Sequence, residues 1–297
     1  MKSSALFRLH FIVFLWGFTA ILGKLITVDA GVLVFHRMFF TALFLFIYIR
    51  FVRKQSIAIS KKLFFQLAGV GSLMAFHWLF FFHSIKVSNV SIALSCISLS
   101  TLFVALLEPL VFRRKIDPSE VVMGVVILVC MYLIFKTEFQ YQEGIIYGIL
   151  AAVVGSLFSV FNGKLYGKTS SGNIIFYEIF CGWAVFSIFY ALTGELALLG
   201  EISYTNLALV LLLASVFTAY PMFESISLMK YITPFTLVLT VNLEPVYGIV
   251  MAYFIFGESE HMSSVFYIAS LVMILSIVAN GIIKTRKKQQ ETTKNLQ

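Results

Sequence analysis

The chain has 297 residues, 60% of them hydrophobic and only 12% charged, with a mean hydropathy of +0.95. That composition excludes a soluble globular domain and indicates a membrane protein of many spans. The apolar runs are long and continuous, which excludes a β-barrel of short alternating strands and leaves an all-α fold. A net charge of +8 would suggest nucleic acid in a soluble chain, but here the basic residues lie between apolar runs and report orientation.

Ten spans are expected, at 6–25, 32–51, 63–84, 88–112, 118–135, 144–163, 173–193, 206–228, 232–256 and 263–283. The first run continues to Leu25 without a small-residue cleavage site, so it reads as a retained span. Of the 22 Lys and Arg residues, only Lys86 and Lys136 fall in the loops of one side. Lys24 and Arg37 lie within or at the edge of spans, and the rest gather on the other side, which places both termini in the cytoplasm. The opposite face carries Asp29, Glu195, Glu201, Glu258 and Glu260, with positions 201 and 260 expected to be open to an external reagent.

The two halves repeat. GKL at Gly23–Leu25 recurs at Gly163–Leu165, GVLVFHRMFF from Gly31 recurs as GNIIFYEIFC from Gly172, and FHSI at Phe82 recurs as FESI at Phe223. Residues 1–140 and 141–284 would each hold five spans, followed by a basic cytoplasmic tail at 285–297 that reads as disordered. An odd number of spans inserts the second copy inverted, the architecture of alternating-access carriers. Counting from Lys86 against Lys230 pairs Ser100 with Glu244, and Arg113-Arg114 with Gly257-Glu258.

Span nine holds Asn242, Glu244 and Pro245 side by side near mid-depth. An ionisable group there costs at least about 2.5 kcal/mol, so it faces protein or a water-filled pathway. Pro245 removes a backbone donor and loosens the carbonyls before it. Glu244 is therefore a candidate for a pathway wall and for carrying a coupling proton; the bland alternative is a hydrogen bond to a neighbouring helix.

Four further groups are polar or aromatic enough to matter. His77 and Trp78 in span three can border a cavity, or His77 can be a packing residue. Glu224, beside Tyr220 and Pro221, can be a gate or an ion pair with Lys230 or Lys164. Trp16, Asn162 and Tyr247 are candidate cavity residues. Arg37, about six residues into span two, needs a partner; Asp29 is the nearest acid in sequence, and Arg37 reads as structural, an outer latch. Cys96, Cys130 and Cys181 lie within spans and have no metal-ligand spacing.

The chain resembles the EamA-type carriers of the drug/metabolite transporter superfamily. The resemblance runs from Leu6 to Ile283 and rests on Trp16-Gly17, Arg37, SIKVSNVSIAL (Ser84–Leu94) and NLEPVYGIVMAYFIFGE (Asn242–Glu258). The first half departs from the usual pattern, with Ser100 in place of a common proline and Arg113-Arg114 in place of a Gly-Glu pair. The resemblance implies a ten-helix inner-membrane carrier that moves small metabolites, often outward, without ATP. No phosphate-binding G-x-x-x-x-G-K-[ST] loop occurs, in keeping with that. The expected partners are a metabolite, the lipid bilayer and, if Glu244 titrates, protons, with no nucleic acid and no cofactor.

Two rivals remain open. A membrane-embedded enzyme needs a catalytic set, and His10, His36, His77, His83 and His261 lack metal-ligand spacing. A receptor or scaffold needs neither an inverted repeat nor a mid-depth carboxylate.

Overall fold

The structure, a computed structural model, describes residues 2–113, 115–228, 231 and 240–294. All regular elements among the described residues are helical. Helix α1 is Lys2–Leu25, α2 Ala30–Ile47, α3 Lys61–Val87, α4 Val90–Ile97 and α5 Ser100–Phe112. Then come α6 Pro118–Thr137, α7 Gln142–Leu165, α8 Ser171–Thr193, α9 Tyr204–Ala214 and α10 Tyr220–Leu228. The last two are α11 Glu244–Phe256 and α12 Ser264–Lys294.

Nine helical segments among the described residues are long and apolar enough to cross a membrane. They match the expected spans except the ninth, most of whose first half lies outside the described residues, as do Arg114 and Lys230. The 285–297 stretch differs from expectation. Its backbone continues α12 as helix through Lys294, since nothing in KTRKKQQETTK breaks a helix already nucleated inside the membrane.

Each helix start in hydrocarbon or at its edge leaves N–H groups to be satisfied. The loops supply the acceptors. Asp29 Oδ1 accepts from Gly31 N at 2.7 Å, Asn89 Oδ1 from Ile92 N at 2.9 Å, and Asp117 Oδ1 from Ser119 N at 2.9 Å. Ser60, Ser170, Ser203 and Ser263 cap α3, α8, α9 and α12 in the same way.

Among the described residues, three spans are interrupted away from their ends. In span four the helix closes at Ile97 and restarts at Ser100, bridged by short-range bonds from Leu99 N to Cys96 O and Thr101 N to Ser98 O. In span eight a π turn, Ser215–Ala219, joins α9 to α10. Pro221 follows it and can offer no N–H to Phe217 O, so the wider turn redistributes the ladder. In span nine α11 starts at Glu244 after a turn at Asn242-Leu243. Pro245 thus occupies the first turn of a helix, where a missing N–H costs nothing, rather than kinking one.

Segments α5 and α11 are each 13 residues long and begin at the two residues the register pairs, Ser100 and Glu244. Each also ends on a positive φ, Arg113 at 54° and Gly257 at 55°. Gly257 adopts that conformation without a Cβ penalty; Arg113 does not.

Small residues set the helix crossings, as packing without water demands. Helix α3 lies against α7 and α8, α1 along α11, and α6 pairs with α12. A Cβ on Gly17 would stand 3.1 Å from Gly248 N, so α1 and α11 cross backbone to backbone. On Gly71 a Cβ would stand 2.9 Å from the Glu178 carbonyl carbon and Cα, whereas nothing lies within 4 Å of Gly69.

Overpacking of this kind costs about 1–3 kcal/mol. Gly71→Ala is therefore expected to lower the melting temperature of the purified protein by several degrees, while Gly69→Ala leaves or raises it. Equal effects would contradict the close α3–α8 crossing.

Candidate functional site

Arg37 stands on α2 with 4% of its surface exposed. Its guanidinium lies 3.7 Å from the centroid of the Trp78 ring on α3, with Phe82 at 5.3 Å. Stacking of a desolvated cation on Trp contributes about 2 kcal/mol. Nε donates to Thr218 Oγ1 at 3.1 Å, and Thr218 in turn donates to Leu213 O at 2.7 Å inside the π turn. The bulge thus turns a threonine hydroxyl toward the cation.

Glu244, at the first position of α11, lies within electrostatic range of Arg37, though no ion pair joins them. The N-terminus of α11 adds a favourable dipole for its carboxylate. Arg37 also feels His77, whose Nδ1 is 2.8 Å from Ala151 O. That geometry makes Nδ1 the donor and ties α3 to α7, beside Gly155. Half-buried Asn242 precedes α11 in the turn.

So the structure gathers Arg37, Trp78, Thr218 and Glu244, with His77 at the margin. The expected Arg37–Asp29 partnership is not what forms: Asp29 is exposed and caps α2, about two turns before Arg37. Asn162 is elsewhere, donating to Glu178 Oε2 at 3.2 Å between α7 and α8. Tyr220 is 46% exposed and stands apart from the cluster. Ser100 donates to Ala152 O at 3.4 Å, linking α5 to α7.

Helix α1 makes an ion pair near each of its ends. At the N-terminal end Arg8, not the expected Lys164, pairs with Glu224 of α10; the other expected partner, Lys230, lies outside the described residues. Alongside, His10 Nδ1 meets Tyr247 Oη at 3.1 Å, and Trp16 and Tyr247 pack with Leu9, Val13 and Leu228. At the C-terminal end Lys24 Nζ pairs with Glu260 Oε1 at 2.7 Å.

Glu260 corrects the expectation of an exposed acid: it is 0% exposed. Its carboxylate accepts from Val90 N at 3.0 Å, Ser91 N at 2.9 Å and Ser91 Oγ at 2.7 Å, capping α4 from across the bundle. Glu138 does the same for α12, accepting from Ser263 N at 2.9 Å. Sequence reasoning missed Glu260 and Thr218. The signal for Thr218 was a lone hydroxyl three residues before Pro221; for Glu260 no local signal exists.

The bundle and its buried charges define a multi-pass membrane protein with a polar centre. The profile of the EamA-like transporter family matches residues 4–136 and again 142–281. The chain belongs to the EamA-like transporter family, and is a membrane transporter by that membership. No curated protein matches it. A solved crystal structure, described only as that of a protein, superposes with a TM-score of 0.63 over 96% of this chain and 100% of that one. At 15% identity that likeness speaks for the fold alone.

Glu260→Ala would leave Val90 N and Ser91 N without their acceptor and Lys24 without its counter-charge, with Ser259 Oγ at 2.8 Å remaining to it. Removing one partner of such a buried charge network costs about 3 kcal/mol, so a clear fall in melting temperature is expected. Exposed Glu258 serves as the control: Glu258→Ala should leave the melting temperature unchanged.

Proposed function

We propose that the protein is a secondary carrier that exports small metabolites across the bacterial inner membrane by alternating access, with Glu244 carrying a coupling proton. The observation that carries this reading is the buried group of Arg37, Trp78 and Thr218, with half-buried Glu244 within electrostatic range of the cation. It lies where span eight is bulged and span nine is broken. Broken helices at depth present backbone and side-chain polar groups to a ligand only where protein or a cavity receives them. A scaffold or receptor has no need of a charge held there at such expense.

In this reading the chain folds as ten spans in two inverted halves, 1–140 and 141–284, with the 285–297 tail and both termini cytoplasmic. The Arg8–Glu224 pair closes the cytoplasmic side and the Lys24–Glu260 pair the outer side. Releasing one while the other holds exposes the cluster to one side at a time, and ligand and proton bias the two states by binding them unequally. No ATP takes part.

A carboxyl that gains a proton on one side and loses it on the other couples proton flow to substrate. Glu244→Gln preserves size and most hydrogen bonding but cannot titrate. It should fold, insert and transport in proteoliposomes with a flattened pH dependence. A Gln variant that keeps the parent's pH profile would leave exchange or facilitated diffusion in place of coupling.

A further inference from the structure

Arg37 is buried, yet among the described residues only one of its five N–H groups has an acceptor. The Nε bond to Thr218 fixes the rotation of the guanidinium, and Trp78 and Phe82 fix its plane from the face. Neither ring supplies an acceptor at the edge. Neither Nη makes a hydrogen bond to a described residue, and Glu244, though it faces Arg37, forms no ion pair with it. A guanidinium held this firmly at Nε and at its face, with no acceptor at its fork among the described residues, is placed to receive one.

A guanidinium fork matches the two oxygens of a carboxylate, donating two parallel N–H···O bonds. We propose that the Nη fork of Arg37 binds a carboxylate of the transported molecule, so that this carrier takes small organic monoanions. The assignment rests on the carrier reading above and deepens it. One fixed positive charge suits one negative charge. With the proton that the carrier reading puts on Glu244, Arg37 neutralises a monoanion, whereas a dianionic phosphate would keep one charge unpaired. The indole of Trp78 and the ring of Phe82 border the fork and favour a ligand whose body is apolar beyond its acid group.

The test is binding to the purified full-length protein, read by thermal shift, of lactate, benzoate and phenylacetate, each beside its uncharged amide. At least one acid should stabilise the protein where its amide does not. Arg37→Gln should abolish that difference. Arg37→Lys keeps the charge but not the fork; it should weaken the acid's affinity about tenfold, and it stands in if the Gln variant does not fold. A set in which no acid exceeds its amide overturns the assignment, as does an acid effect of equal size in the parent and both variants. Flux of the same radiolabelled compounds into proteoliposomes, against protein-free liposomes, separates this inference from the one it rests on. Flux without acid preference sinks the carboxylate assignment alone. Acid binding without flux sinks the carrier reading and leaves Arg37 an anion site.

Discussion

Backbone and side-chain polar groups inside hydrocarbon must find partners within the protein, and this chain's interior is arranged around one group that is hard to satisfy, the guanidinium of Arg37. Two aromatic rings from α3 shield its faces, and the hydroxyl that meets Nε exists at the right place only because span eight opens into a π turn before Pro221. Across from it α11 begins rather than continues, so that a helix N-terminus and Glu244 meet the same region. A straight span eight or an unbroken span nine would leave the cation without these neighbours.

Helix α1 ties the two halves together near both of its ends. Its basic residues Arg8 and Lys24 stand 16 positions apart, about 24 Å along a helix, and each pairs with an acid of the second half. The two pairs differ in kind. Glu260 is sealed and bonded to three donors of α4 besides Lys24, whereas Arg8 is exposed. Salt and water weaken the exposed pair far more readily than the buried network. In the carrier reading the Arg8–Glu224 end is therefore the easier to open, and outward opening requires the cap on α4 to release as well.

The spans were legible because hydrocarbon thickness imposes a length and composition that few other constraints imitate. Glu244 and Pro245 were legible because a carboxyl and an imino acid inside such a run have few harmless explanations. The pairing of Ser100 with Glu244 kept the spans equal in length, and the structure starts a helix segment at each of the two, a break the sequence did not announce. What could not be read were partners set by helix crossings. Glu260 meets residues 169 and 170 positions away, and Arg37 meets Thr218 across 181. Nearness in sequence suggested Asp29 for Arg37, but Asp29 caps α2 instead, and Arg8 reaches Glu224 from the far end of the chain. Tyr220 and Asn162 were chosen for their chemistry, but the face each presents is fixed by the turn before α10 and by the α7–α8 contact.

The central claim is that one site, at the broken start of α11, is open in turn to each side of the membrane. Asn242 reports on it directly, because it is half-buried in the turn before Glu244 and the three native cysteines are buried. The measurement is alkylation of the single introduced cysteine in Asn242→Cys by a membrane-impermeant thiol reagent, in right-side-out and in inside-out vesicles. The account predicts reaction from both sides. Reaction confined to one side in every condition, or to neither, would contradict it.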